Sequence, residues 1–477
     1  MAPKKQLHLN FFDQACTGSH MGVGQWNAEA TFHGGSGVGT LDPLVLVPAM
    51  ASVTKNVSFG VTGSTSYINP YILARTISTL DHVSNGRFAW NVVTSYSDTA
   101  AKAMGKIKVT GHDRRYEEAH EFMDLVYTLL EGSWEDGASI WSAEKGAYDF
   151  SKVHKVNFDG LYHRTVSYGP MHPSPQRTPV LFQAGTSSAG SAFAAKHAEA
   201  IFCGGHKPSE TKRIVDSIRA AAAANGRDPN HVKFFPQITP ILGRTVDEAQ
   251  AKYEKALANV DYAGGLAKMS GYLGVDFGQY PLDEPFVIDD SKPDSGIHAM
   301  ITALQRYSDL PMTPRRIGQQ MAFCGFAAMP VGTPEMVADV FEEWANEGDI
   351  DGFNIAYVSN PMSYEDIVDL LVPVLQERGI MWKDYTVPGG TFRENLLREP
   401  GTSKMPDCHA AAQFRYENLK KQDGVIDGKG DIWISRKEPL QADSTLPSPP
   451  VAATEDVVEK VSKLDVNGTS PAVSAEA

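Results

Sequence analysis

Residues 179–190 read PVLFQAGTSSAG, an apolar run that ends in small and hydroxylated residues and leads straight into an alanine-rich stretch. Val180, Leu181 and Phe182 suit a buried strand, Ala184-Gly185 a tight turn, and Thr186, Ser187 and Ser188 the capped start of a helix over 189–198. A strand that turns directly into a helix leaves free backbone N–H groups and hydroxyls under the positive end of the helix dipole. That arrangement is a ready seat for an anion, most often a phosphate. An isolated Ser-Ser is more commonly a plain helix cap, so the rest of the chain decides between the two.

Working outward, the same alternation recurs. Strands are expected at 7–12, 57–64, 88–95, 180–185, 200–204, 232–242 and 352–358, short runs rich in Val, Ile and Phe with Gly, Pro or Ser at their ends. Helices are expected at 43–55, 116–131, 210–224, 246–260, 334–347 and 364–378. Thr333-Pro334-Glu335 and Ser363-Tyr364-Glu365 read as helix starts, and Gly379 as a stop. Strand and helix in turn imply βα units around a mainly parallel sheet. Thr62, Ser64, Asn91, Thr94, Ser95, Ser187 and Ser188 all fall at carboxyl ends of strands from separate units, and a (β/α)₈ barrel gathers such ends on one face. A doubly wound sheet would carry a glycine fingerprint after an early strand. The cluster Gly34-Gly35-Ser36-Gly37-Val38-Gly39 lacks that spacing and follows no strand, so it reads as a loop. A TIM-type barrel is the expectation, one strand short: 13–41 holds neither a convincing helix nor a second strand.

With 477 residues, 42% hydrophobic and 21% charged, and a mean hydropathy of -0.26, the chain has the make-up of a soluble globular protein with a large core. The net charge of -14 and pI near 5.5 disfavour nucleic acid and anionic membranes as partners, and no basic stripe offsets them. Cys16, Cys203, Cys324 and Cys408 are too scattered for a zinc site or a disulfide framework. The first residues lack the apolar run of a signal peptide, and no stretch reaches the roughly 18 apolar residues of a membrane span. A cytoplasmic location is expected.

The second informative segment is Thr110-Gly-His-Asp-Arg-Arg-Tyr-Glu-Glu, a turn leading into an amphipathic helix. His112 and Tyr116 stand four residues apart at its start, and both can donate to a phosphate oxygen. Arg114 and Arg115 beside Glu117 and Glu118 read as a solvated ion-pair face. A lone His near a helix start is more often a cap or a surface residue than a ligand.

Asn69-Pro-Tyr-Ile-Leu-Ala-Arg, Leu80-Asp-His-Val-Ser-Asn-Gly-Arg with Trp90-Asn-Val-Val-Thr-Ser, Gly111-His-Asp-Arg-Arg-Tyr and Gln183-Ala-Gly-Thr-Ser-Ser-Ala-Gly follow one another in this order. Together they resemble the flavin-dependent monooxygenases of the bacterial luciferase-like superfamily, in the branch that includes nitrilotriacetate and dibenzothiophene sulfone monooxygenases. The resemblance runs from about residue 6 to residue 385. It implies a TIM barrel, usually oligomeric, that receives reduced FMN from a separate flavin reductase and uses O₂ to oxygenate a small organic molecule. Carried over by residue, it implies Thr62 and Asn91 near the flavin ring or ribityl chain, and His112, Tyr116, Ser187 and Ser188 at the phosphate. It requires no side-chain nucleophile, and no catalytic acid, base or metal ligand is assigned. One departure stands out. The family's first helix, second strand and a flavin-proximal acidic residue belong between Asn27 and Ala28, which here adjoin.

Residues 1–397 are thus expected to form the barrel, with 261–313 as an irregular insertion before the last βα unit, a candidate lid or substrate wall carrying Tyr272, Phe277 and Tyr280. Residues 398–438 read as a polar extension, and 439–477 as a low-complexity, disordered tail. Two other functions stay open at the level of sequence: a deazaflavin- or nicotinamide-linked reductase on the same barrel, and a non-catalytic flavin-binding protein left by the missing unit.

Overall fold

The computed structural model describes residues 5–13, 41–96, 98–205, 207–273, 276–285, 311–323, 325 and 327–436. Every strand anticipated above is present: β1 (His8–Phe11), β2 (Phe59–Ser64), β3 (Phe88–Val93), β4 (Val180–Gln183), β5 (Ala200–Cys203), β6 (Lys233–Ile238) and β7 (Gly352–Ile355). They join in one parallel sheet in the order β1-β7-β6-β5-β4-β3-β2. The sheet curls but, among the described residues, β1 and β2 do not pair with each other. These two edges are the strands on either side of the Asn27–Ala28 junction. Among the described residues the curl is therefore open between the two strands that flank the Asn27–Ala28 junction, and the other strands pair with their neighbours in order.

The helices of ten or more residues are α1 (Pro43–Val53), α2 (Pro70–Val83), α3 (His112–Tyr127), α4 (Ser188–His197), α5 (Pro208–Ala224), α6 (Val246–Ala258), α7 (Tyr262–Leu273), α8 (Pro314–Phe323) and α9 (Pro334–Glu347), with shorter ones such as Met362–Asp366 and Val372–Glu377 among the described residues. Local chemistry sets their ends. Asn69 accepts from the backbone N–H of Tyr71 and Ile72 ahead of Pro70, and Thr333 caps α9 ahead of Pro334. At the other end of α1, the buried Arg87 guanidinium donates to the carbonyls of Ala51, Thr54 and Val57, groups that a helix end leaves unpaired. None of the described helices is long and apolar enough to cross a membrane.

Strand alternation divides the apolar residues into two sets. Val61, Trp90, Val92 and Leu181 face outward into a core shared with α2 and α3, and Leu7, Ile238, Phe353 and Ile355 into one shared with α9. Ala89, Val180, Phe182, Ala200 and Phe235 face inward, where Leu396 and Phe392 from the helix Phe392–Leu397 close the bottom of the curl. Arg393 of that helix is fully buried and makes two bonds to Glu199, at 2.6 and 3.0 Å.

Two expectations are corrected. Residues 261–313 do not begin as an irregular excursion, because α7 occupies the first part and lies against α8. A Cβ on Gly265 would strike the Gly318 carbonyl oxygen, and one on Gly318 the Tyr262 carbonyl oxygen, so the glycines that weaken the helical pattern are what let the two backbones touch. Phe277 is fully buried and so is no exposed wall; 286–310 lies outside the described residues, as does the Tyr272 side chain. The polar stretch from 398 is also more than an appendage. Met405, Ala411, Phe414, Tyr416, Leu419 and Ile432 belong to the core beside α3, and the strand Ile432–Ser435 pairs in parallel with Lys155–Asp159. The tail expected over 439–477 and the glycine cluster at 34–39 fall outside the described residues.

Candidate functional site

At the top of β4 the chain turns as its residues suggest. Ser187 is the N-cap of α4, and its hydroxyl accepts from the Gly190 backbone N–H at 3.1 Å. The helix α3 starts at His112 rather than at Tyr116, one turn earlier than its apolar periodicity indicates. Its N-cap, Gly111, supplies no side-chain bond. The two helix starts meet: His112 Nε2 lies 3.2 Å from Ser187 Oγ, while His112 Nδ1 sits 2.7 Å from Asp113 Oδ1. Either atom of the His112–Ser187 contact can be its donor, according to the imidazole tautomer, so both groups can turn a proton toward a ligand. Two helix dipoles thus present positive ends at one point, with exposed Ser188 on the first turn of α4.

Tyr116, one turn into α3, is buried, with its ring edge-on to His112 and against Phe193 of α4. Its hydroxyl stands over Gly185 and Gly190. A Cβ at Gly185 would collide with that oxygen, and one at Gly190 would come within 2.8 Å of it and 2.9 Å of the Gly185 carbonyl. Small residues are needed here because the backbone passes close under the tyrosine. Of the two arginines expected to be solvated, Arg114 pairs with Glu118 at the surface at 3.2 Å, but Arg115 is buried and donates to the Thr110 carbonyl. The Nε of Arg115 has no partner among the described residues, which leaves a cation with a spare donor in the first turn of α3.

On the inner face, Thr62 of β2 and Asn91 of β3 are in register, and Asn91 Nδ2 donates to Thr62 Oγ1 at 2.9 Å. The Asn91 Oδ1 is buried with no partner among the described residues. Beside them Phe182, Phe202 and Phe235 make an aromatic bed, with Phe182 and Phe202 stacked at 4.9 Å. The sequence-expected residues therefore fall into two groups: His112, Tyr116, Ser187 and Ser188 where two helices start, and Thr62 with Asn91 on the inner strands.

Behind the helix starts lies a cluster of imidazoles that sequence reading missed. His120 Nδ1 is 2.8 Å from His197 Nε2, the Tyr127 hydroxyl is 3.1 Å from His197 Nδ1, and His409 bonds the His197 carbonyl at 2.9 Å. Burial is the main cause that keeps all three neutral, pulling His120 down to about 3 and His197 and His409 well below the ordinary range. Burial likewise pushes the Cys203 thiol up to about 12, so it is no nucleophile, and Cys408 is exposed. Also unanticipated is a row of amides on the opposite flank, Asn10, Asn354 and Gln237. An amide amid apolar residues in a short strand carries no signal until the register of distant strands is known.

A parallel curl with two helix starts meeting at the carboxyl end of its strands is the layout of a barrel enzyme, whose active site lies on that face. The sequence model of the Luciferase-like monooxygenase family matches residues 24–349, and this chain belongs to that family. It is 37% identical over 435 residues to the dimethyl-sulfide monooxygenase of Hyphomicrobium sulfonivorans, covering 91% of this chain and 86% of that protein. The long-chain alkane monooxygenase of Geobacillus thermodenitrificans is 41% identical over 375 residues, 78% of this chain and 80% of its own length. Among solved structures, DmoA from Hyphomicrobium sulfonivorans superposes with a TM-score of 0.80 at 34% identity, over 88% of this chain and 97% of that one. A riboflavin lyase solved with modified FMN and riboflavin gives 0.75 at 30% identity, over 86% of this chain and all of that one.

Proposed function

We propose that this chain is the oxygenating component of a two-component system: it takes reduced FMN from a separate flavin reductase and uses O₂ to oxygenate a small organic molecule. The observation that carries the reading is the junction of α3 and α4, where His112 and Ser187 meet at 3.2 Å beneath two helix starts. Imidazole and hydroxyl groups, two helix starts, a buried arginine nearby and glycines that bring the backbone close fit a phosphate monoester. His112, Tyr116, Ser187 and Ser188 would hold the phosphate, and Thr62 and Asn91 the ring or ribityl chain. The unpaired Asn91 Oδ1 can accept from a ribityl hydroxyl or a ring N–H.

Bound reduced FMN would supply the electrons that activate O₂. The chain's own part is to fix the flavin at its phosphate end, keep its ring against the Phe182–Phe202–Phe235 bed, and exclude water from the curl. Relatives with monooxygenase names and a structural neighbour solved with modified FMN support this choice over a deazaflavin enzyme.

The test is a titration with FMN, reduced FMN and a deazaflavin, followed by turnover with a flavin reductase under ¹⁸O₂. Preference for the FMN pair and one labelled oxygen in the product are expected. Tighter deazaflavin binding would favour a reductase, and flavin binding that yields only hydrogen peroxide with every substrate would favour a protein that has lost turnover.

A further inference from the structure

On the flank of the curl away from Thr62 and Asn91, three carboxamides stand side by side. Asn10 of β1 is in register with Asn354 of β7, which is in register with Gln237 of β6. Gln237 follows the inward-facing Phe235 by two residues, so the row lies on the inner face. Asn354 is 7% exposed, and each side chain holds a buried polar atom with no partner among the described residues: Asn10 Nδ2, Asn354 Oδ1 and Gln237 Nε2. Among the described residues nothing pairs these three buried atoms, and an unpaired buried polar atom costs stability that an apolar group of the same size would not. Strands β5 and β4 separate the row from Asn91, so it is not part of the flavin-side pair. The row carries no charge. The nearest charged residue on the inner face of these strands, Lys233, lies two inward positions below Gln237 and is tied to Asp351 at 3.8 Å.

We propose that Asn10, Asn354 and Gln237 form the polar wall of the substrate pocket and select an uncharged molecule bearing a hydrogen-bonding group, such as a sulfone, sulfoxide or amide. A hydrocarbon would leave all three amides unpaired, and a carboxylate would lose its hydration without meeting a counter-charge. This rests on the monooxygenase reading and narrows its substrate class.

The experiment uses the FMN-loaded full chain and a matched pair of probes, dibenzothiophene sulfone and dibenzothiophene, with nitrilotriacetate as the anionic comparison. The sulfone should bind about ten-fold more tightly than its parent, the return expected from one or two hydrogen bonds. Gln237→Met and Asn354→Leu should erase that difference, leave FMN affinity unchanged and raise the melting temperature, because each removes a buried polar atom that has no partner among the described residues. A purely structural role would lower the melting temperature instead. Equal binding of the pair, binding of neither, tighter nitrilotriacetate binding, or variants that keep the preference would overturn the proposal. Loss of FMN binding in the unmodified chain would instead overturn the monooxygenase reading beneath it.

Discussion

His112 Nε2 and Ser187 Oγ lie 3.2 Å apart although 75 positions separate them in the chain. The contact joins the first residue of α3 to the N-cap of α4, so the two helix starts are held as one structure before any ligand arrives. Preorganisation of this kind lowers the ordering cost of binding, and it makes the site sensitive to small changes.

Ser187→Ala removes a hydroxyl that serves both the α4 cap and the His112 contact. FMN affinity should fall by roughly 1 to 3 kcal/mol, the worth of a hydrogen bond to a charged group. Flavin fluorescence titration of the variant measures this, and unchanged affinity would remove Ser187 from the phosphate seat.

Gly190→Ala puts a methyl group 2.8 Å from the Tyr116 hydroxyl and 2.9 Å from the Gly185 carbonyl. Overpacking of this size costs about 1 to 3 kcal/mol, so both the denaturation midpoint and FMN affinity should drop. Urea melts with and without FMN separate the two effects. A variant as stable and as tight as the parent would mean that the turn has slack.

Arg393→Ala leaves the Glu199 carboxylate buried at the bottom of the curl without its counter-charge, with only the Leu181 N–H still donating to it among the described residues. The expected loss is about 3 to 5 kcal/mol in urea unfolding. Arg393→Met together with Glu199→Leu should recover most of it, since a buried pair can be replaced by apolar residues of similar volume. A single variant that loses under about 1 kcal/mol would show that the pair is solvated.

Stability should fall as pH drops from neutrality toward 5. His8 and His120 are both lowered to about 3, mainly by burial. The unfolded chain takes up their protons near pH 6.5 while the folded chain does not. Their contribution is therefore complete above that point and is lost as the solution is acidified. Two such groups give a slope of roughly 2.7 kcal/mol per pH unit near pH 5, with His197 and His409 adding in the same direction. Urea midpoints at pH 7, 6 and 5 test this, and a flat profile would mean that these imidazoles are solvated.

The strands of the curl were legible because a parallel strand buried on both faces reads as a short apolar run between turn residues, as 180–183 and 200–203 do. The strand–turn–helix junction at 180–190 was legible for a related reason: cap, turn and glycine lie within a dozen residues, so local chemistry defines it. α7 escaped because Gly264, Gly265 and Gly271 lower helix propensity, while the purpose of Gly265, close contact with α8, is tertiary. The packing of 398–436 escaped because its apolar residues are spaced between polar ones without a period. Asn10, Asn354 and Gln237 come together only through register between strands hundreds of residues apart, which no window of sequence contains.

The central claim, that the start of α3 and the start of α4 hold the phosphate of a flavin mononucleotide, is tested most directly by calorimetric titration with FMN and with riboflavin, which lacks the phosphate. The account predicts FMN binding about a hundred-fold tighter, a difference of roughly 2.7 kcal/mol that shrinks in Ser187→Ala. Equal affinity for the two flavins would contradict it.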